Sequence, residues 1–352
     1  MTPLAEILSR RIAQTGPISL ADYMAECLSH PEHGYYTTRN PFGAAGDFVT
    51  APDISQMFGE LIGLCLAQAW MDQGKPARFA LVELGPGRGT LMADLLRATQ
   101  AVPGFTDAAE VQLVETSPAL QAAQAARVPN ATWHASVATL PDLPTFLIAN
   151  EFLDALPIRQ FTRDAAGWRE TMVGLQGDAL AFGLSAPAPI ALLDPRLADT
   201  QPGDVVEHCP VLSGIVGTIG QRIAQNGGAA VFIDYGDWHS LGNTLQAVQG
   251  HQTVDPLATP GQADLTAHVD FAALANAAAP AAYTRLTTQG VFLERLGITQ
   301  RAQSLARSLQ GAALDQHIAA HRRLTHPGEM GETFKVMGLY PPGAATPPGL
   351  TA

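Results

Sequence analysis

Apolar positions recur at helical spacing through the opening of the chain, over Pro3–Gln14 and again over Leu20–Leu28, and predict two helices. His30–Phe48, rich in Gly, Pro, Asn and aromatic residues, has the chemistry of a long loop. Helical periodicity resumes over Ser55–Trp70, with Met57, Phe58, Leu61, Ile62, Leu64 and Leu66 at its apolar positions, and Gly74-Lys75-Pro76 stops it. From Phe79 the pattern changes to short apolar runs separated by helical stretches, as in a parallel sheet covered by helices. Strands are predicted at Phe79–Leu84, Val111–Val114, Thr145–Ala149 and Ala229–Asp234.

Roughly eighty residues separate the third of these strands from the fourth, far more than an ordinary αβ connection needs. Ile158–Thr162, Trp168–Val173 and Ala179–Leu184 alternate as strands do and are divided by Ala-Gly and Gly-Asp turns, so an antiparallel meander opens an insertion over 158–226, closed by a helix at Val211–Gln225. Leu241–Ala267 is polar and carries His, Pro and Gly, whereas Tyr283–Gln289 and Thr333–Leu339 predict two closing strands. The tail 341–352 is expected to be flexible.

Composition narrows the function classes. With 47% hydrophobic and 15% charged residues, the chain has the material for a large core and is not a disordered protein. A net charge of −12, from 20 basic and 32 acidic side chains, gives no footprint for a phosphate backbone. Lys75 and Lys335 are the only lysines and the arginines do not cluster, so neither nucleic acid nor an anionic membrane is expected as a partner. Cys27, Cys65 and Cys209 are odd in number, far apart and outside any CxxC, which argues against a disulfide framework or a thiolate metal site and for a reducing compartment. The apolar stretch Leu61–Trp70 is too short for a membrane span, and the opening MTPLAEILSRRIAQTG lacks the apolar core of a secretory signal. A cytoplasmic location is expected, with no membrane insertion.

The strand at Phe79 runs into Glu83-Leu-Gly-Pro-Gly-Arg-Gly-Thr90 and then a helical pattern over Leu91–Ala98. Strand, glycine turn and helix make a nucleotide-cofactor geometry: Gly85 and Gly87 let a ligand approach the backbone, and the free N–H groups of the helix start attract a carboxylate or phosphate. A dinucleotide fingerprint needs Gly or Ala at position 90, which is Thr; the third glycine falls at Gly89. An acidic residue followed by G-x-G-x-G is instead the pattern of methyltransferases that use S-adenosylmethionine, and Glu83, Gly85, Gly87 and Gly89 satisfy it. Glu83 suits a ligand carrying an ammonium group. Glu115, ending the next strand, can accept hydrogen bonds from ribose hydroxyls and fits either cofactor. No Walker loop and no G-x-S-x-G elbow occurs.

Phe146-Leu-Ile-Ala-Asn-Glu-Phe-Leu-Asp-Ala-Leu-Pro157 places Asn150 and Glu151 at the carboxyl end of a parallel strand, where open α/β sheets locate substrate chemistry. The layout is similar to the Asn-Pro-Pro-Tyr loop of amine methyltransferases, without its prolines. Glu151 and Asp154, three apart, can present two carboxylates to a guanidinium, whose charge must be localised before one nitrogen becomes nucleophilic. Equally, Asn150 can cap a following helix that has both acids in its first turn. Both readings stand at this stage.

These segments, with Gly46-Asp-Phe-Val-Thr-Ala-Pro-Asp-Ile-Ser-Gln-Met-Phe-Gly-Glu-Leu-Ile62, Asp234-Tyr-Gly236 and Ala263-Asp-Leu-Thr-Ala-His-Val-Asp-Phe271, resemble the mitochondrial complex I assembly-factor methyltransferase family and its bacterial relatives. The resemblance implies an α/β class I (Rossmann-like) methyltransferase fold with a seven-stranded, mostly parallel sheet and an inserted substrate-binding region. It implies a helical cap and cofactor lid over 1–74, a methyltransferase domain over 75–340, and transfer from S-adenosylmethionine to an arginine of a protein substrate, in mitochondrial members a complex I core subunit. Gly85, Gly87, Gly89 and Thr90 would cradle the methionine end of the cofactor, Glu83 would orient it and Glu115 would hold the ribose. Asp47 and Thr50 belong to a loop, Asp47–Gln56, that would fold over the cofactor, unless Asp53 or Ser55 there merely caps the next helix. Asn150, Glu151, Asp154 and His268 would act on the substrate. The absence of an Arg/Ser-rich presequence suggests a bacterial member. His317 and His321 have metal-ligand spacing but lack a third ligand, so no metal is expected. Two rivals are an assembly chaperone with a vestigial pocket and a dinucleotide-dependent oxidoreductase.

Overall fold

The computed structural model describes residues 1–38 and 49–352. The chain divides into two compact units. The larger contains residues 49–153, Ser213–Trp238 and Phe271–Ala352; the smaller contains the two N-terminal helices, Asp154–Leu212 and His239–Asp270. Among the described residues no helix is long and apolar enough to cross a membrane.

In the larger unit the strands along the main path of the sheet are Phe79–Leu84 (β1), Ala109–Val114 (β2), Thr132–His134 (β3), Thr145–Asn150 (β4), Gly228–Asp237 (β5), Ala282–Tyr283 (β6) and Phe334–Tyr340 (β7). They lie in the order β3-β2-β1-β4-β5-β7-β6, with β1 to β5 parallel and β7 antiparallel to both of its neighbours. Every residue of β1 and β4 is buried, which is why Phe79–Val82 and Phe146–Ala149 read as continuous apolar runs rather than alternations. The strand order reverses between β1 and β4, and ligands of open α/β sheets bind beyond the carboxyl ends of the strands at such a switch point. Register makes the placement specific: Leu84 pairs with Ala149 on one side and Val114 on the other, so Gly85, Asn150 and Glu115 follow level with one another.

Helix Gln56–Asp72 (α1) is buried nearly all round, and Ser55 caps it by accepting a bond from the Met57 amide. It crosses helix Thr90–Thr99 (α2) at close range. A Cβ on Gly59 would lie 2.8 Å from Asp94 Cβ, and one on Gly63 would lie 2.9 Å from Leu95 Cγ. Glu60 of α1, almost fully buried, receives Arg97 of α2 and Arg301. Together these contacts seat α2, and with it the glycine loop from which it starts.

In the smaller unit Gly167–Gln176 pairs antiparallel with Arg159–Asp164, Ala179–Leu184 and the short Ile18–Ser19; Val205–His208 adds to the far side of Arg159–Asp164. Phe161, Trp168, Leu193 and Val206 form a core there. A three-stranded sheet of Gln246–Gln249, Gln252–Val254 and Asp264–Thr266 falls within the polar stretch Leu241–Ala267.

Several boundaries differ from the sequence reading. Residues 1–74 are not one body, because the first two helices lie in the smaller unit and α1 in the larger. The insertion 158–226 is shared in the same way: Leu212–Asn226 is a helix whose residues from Ser213 onward lie in the larger unit. Tyr283–Gln289 is interrupted, with Ala282–Tyr283 and Thr287–Thr288 pairing separately on β7 around Thr284, whose hydroxyl accepts the Gly338 amide. The tail 341–352 is docked rather than flexible. Leu350 is buried against the β7 side of the core, the Arg285 amide donates to Thr351 O at 2.8 Å, and Arg295 Nη1 donates to Gly349 O at 3.1 Å.

Candidate cofactor site

Beyond the ends of β1 and β4, Thr50, Asp53, Glu83, Gly85, Gly87, Arg88, Thr90, Asn150 and Glu151 line a cleft that is partly open to solvent. The glycine loop owes its shape to three left-handed residues, Gly85 at φ 58°, Gly87 at φ 54° and Gly89 at φ 78°. Gly89 stands at the N-cap of α2 and brings no capping side chain of its own; of the first N–H groups of the helix, that of Met92 donates to Glu83, and the helix start favours an anionic group.

Glu83 is buried at the end of β1. Burial pushes its carboxyl up to about 8, against a smaller opposing effect of a bond from the Met92 amide, and its Oε2 has no partner among the described residues. Asn150, 8% exposed, donates from Nδ2 to Glu151 Oε1 at 3.0 Å, while its Oδ1 is also without a partner among the described residues. Two buried acceptors without donors at one cleft are costly in isolation. They suit a ligand that brings an ammonium group and other hydrogen-bond donors.

Glu151 adopts φ 51°, unusual for a residue with a Cβ, and its amide donates to Ile233 O at 3.0 Å. Its carboxylate receives the Ala51 amide at 3.1 Å as well as Asn150. The turn that follows is held by Asp234, buried at the end of β5, whose Oδ2 accepts the amides of Phe152 and Leu153 at 3.2 and 2.9 Å. Glu115, whose carboxyl is raised by burial, accepts the Ser117 amide at 2.8 Å.

A family model described as an S-adenosyl-L-methionine-dependent methyltransferase matches residues 61–290. The chain belongs to that family. The methyltransferase is 36% identical over 97% of its length to the protein arginine methyltransferase NDUFAF7 of Mus musculus mitochondria, covering 85% of that protein, and 36% identical over 96% of its length to the Drosophila melanogaster homologue, again covering 85%. It is also similar to a crystal structure from Burkholderia thailandensis bound to S-adenosyl-homocysteine, with a TM-score of 0.82, 31% identity, and coverage of 96% of this chain and 91% of that one. Fold and cofactor class are thereby fixed: this is an α/β, Rossmann-like methyltransferase that uses S-adenosylmethionine.

Within the methyltransferase, two sets of contacts that sequence reasoning did not give brace the glycine loop. Gln124, fully buried on helix Pro118–Arg127 (α3), donates from Nε2 to Gly87 O at 2.8 Å and to Glu115 Oε2 at 3.2 Å, and accepts Trp133 Nε1 at 2.8 Å. It ties the glycine loop to the acid that ends β2. Asp53 Oδ1 receives Arg88 Nη2 at 2.7 Å and Thr90 Oγ1 at 3.1 Å. Since Ser55 caps α1, Asp53 is left for this contact.

Asp47 lies outside the described residues. Asp154 and His268 belong to the smaller unit. Asp154 is buried; burial first, then the charges of Asp264 and Asp154, push the phenol of Tyr36 well above its ordinary value, and that phenol donates to Asp264 at 2.9 Å. The His268 amide donates to Thr244 Oγ1 at 2.8 Å, and the Thr244 hydroxyl in turn bonds Glu207. No helix follows Asn150, so the capping alternative does not apply: residues 151–154 are bends and turn. His317 Nε2 meets Ala302 O at 2.9 Å and His321 Nε2 meets Thr299 Oγ1 at 3.1 Å, each a contact within the helical layer.

Proposed function

We propose that this methyltransferase modifies an arginine of a protein substrate, acting in the assembly of a complex I-type respiratory enzyme, and that it does so in the cytoplasm. What carries the reading is the pairing of a carboxylate and a donor-seeking amide, Glu151 and Asn150, at the switch point beside the glycine loop. The names of the mitochondrial relatives as protein arginine methyltransferases support it.

S-adenosylmethionine, when bound, supplies an electrophilic methyl group on a sulfonium. Gly85, Gly87, Gly89 and Thr90 would hold its amino acid end against the start of α2, with Glu83 facing the ammonium and Glu115 the ribose. Glu151 and the Asn150 carbonyl oxygen would receive guanidinium N–H groups, localising positive charge on the nitrogens they bind and leaving another nitrogen richer in electrons. In-line transfer then depends mainly on alignment, which the two adjacent strand ends fix.

The test is co-expression of the wild-type chain, or Gly87→Val, with complex I subunits, followed by mass spectrometry for methylarginine and titration of the purified chain with S-adenosylmethionine. Methylarginine with the wild type and none with Gly87→Val is the expected result. Saturable cofactor binding without methylarginine on any subunit would sink the substrate assignment.

A further inference from the structure

The short segment Thr50–Ile54 is fastened to the cleft at two points. At one, Asp53 Oδ1 holds Arg88 and Thr90 of the glycine loop, at 2.7 and 3.1 Å. At the other, the Ala51 amide donates to Glu151 Oε1 at 3.1 Å. Between them lies Pro52, whose ring fixes its φ, in a single helical turn closed by bonds from the Asp53 and Ile54 amides to Thr50 O at 2.9 and 3.1 Å. So short and stiff a link cannot shift at Asp53 without moving the Ala51 N–H.

The other end is equally constrained. Glu151 sits in a left-handed conformation that L residues avoid, its backbone anchored on Ile233, and its carboxylate accepts both the Ala51 amide and Asn150 Nδ2. Asp53 itself is nearly buried in its ion pair, with 9% of its side chain exposed, and is spared the capping duty that Ser55 performs. Arg88 lines the cleft and its Nε is buried without a partner among the described residues, so the guanidinium has a donor left for an anionic group while its Nη2 holds Asp53.

We propose that Asp53 is a positioning residue: it transmits occupancy of the glycine loop through Pro52 and the Ala51 amide to the Glu151 carboxylate, so that the substrate-facing acid is set only when the cofactor side is filled. The inference rests on the assignment of Glu151 to the substrate for its purpose, and on the geometry alone for its existence. Asp53 touches neither reacting group and acts through its neighbours.

The experiment is amide hydrogen exchange by NMR on the full chain, with and without S-adenosyl-homocysteine as the probe, in wild type, Asp53→Ala and Glu151→Gln, with affinity for the probe measured by calorimetry. In the wild type the probe should slow exchange at Ala51 by about tenfold, the change expected for strengthening one charge-assisted hydrogen bond. At saturating probe Asp53→Ala should show no added protection at Ala51, even with the weaker affinity expected from loss of its contacts to Arg88 and Thr90, and Glu151→Gln should lose most protection at Ala51 while keeping it at Ile54. If Asp53→Ala does not fold, Asp53→Asn carries the same comparison, with partial protection expected. Wild-type protection at Ala51 in a folded Asp53 variant overturns the coupling. Failure of the wild type to bind the probe at all is a different result, and overturns the cofactor-side reading along with it.

Discussion

A Cβ placed on Gly85 would lie 2.8 Å from Cδ2 of Phe152, so the first turn of the glycine loop and the turn after β4 are packed with no room for a methyl group between them. Gly85 also stands at φ 58°. Gly85→Ala therefore meets two penalties, a left-handed conformation and the ring of Phe152, a residue whose backbone amide is held by Asp234. The variant should lose about 1–3 kcal/mol of stability, read as a lower urea midpoint at unchanged slope. An unaltered midpoint would mean that Phe152 swings aside freely.

Gln124 offers a second test of how the loop is held. Replacing it with Leu keeps the volume but removes the donor shared by Gly87 O and Glu115 and the acceptor of Trp133 Nε1. Each buried group left without a partner costs about 1–3 kcal/mol. Gln124→Leu should be destabilised by at least about 2 kcal/mol and should bind S-adenosyl-homocysteine more weakly in calorimetry, whereas Gln121→Leu, one turn away with a single bond to Glu115 O, should bind it nearly as the wild type does.

The sheet's centre was legible because burial on both faces leaves mostly apolar residues in a row, as at Phe79–Val82 and Phe146–Ala149, with the polar Glu83 and Asn150 confined to the carboxyl ends where the site lies. Thr132–His134 was not, since three residues at a half-exposed edge carry no periodicity. The glycine loop could be read because positive φ restricts the residue type. Gln124 could not: on a helix rich in Ala and Gln, nothing local separates a buried amide from a solvated one. Asp53 and Ser55 were equivalent as helix caps by sequence, and tertiary contact with Arg88 decided between them. The i, i+3 rule for Glu151 and Asp154 presumes a helix, and the left-handed backbone at Glu151 begins a bend instead.

The docked tail has a measurable share in stability. Leu350 is 6% exposed and fits beside Gly338, where a Cβ would come within 2.7 Å of its Cδ1. Leu350→Ala should cost about 2–4 kcal/mol if the surrounding residues cannot collapse, toward the low end because the site is near the chain terminus. Deleting 341–352 should cost more and should raise exchange at the Gly338 and Arg285 amides. A deletion with wild-type melting behaviour would count against the tail as part of the core.

Glu83 makes the pH dependence of cofactor binding specific. Its carboxyl is raised by burial to about 8, above its value in the unfolded chain. Between the two values the native state keeps a proton that the unfolded state has released, so this group lowers stability as pH rises through that window and contributes no further slope above about 8. A ligand ammonium beside Glu83 favours the ionised form, so binding near neutral pH should expel the proton. Affinity for S-adenosyl-homocysteine should accordingly strengthen by up to about tenfold per pH unit below about 8 and level off above it. Calorimetry in buffers of different ionisation enthalpy should show release of nearly one proton at pH 7, roughly a unit below that carboxyl's midpoint. Glu83→Gln should abolish both the slope and the proton release while weakening binding at high pH, where the wild-type carboxylate is charged. A flat profile in the wild type would mean that the ammonium is held by another group and that Glu83 stays protonated in the complex.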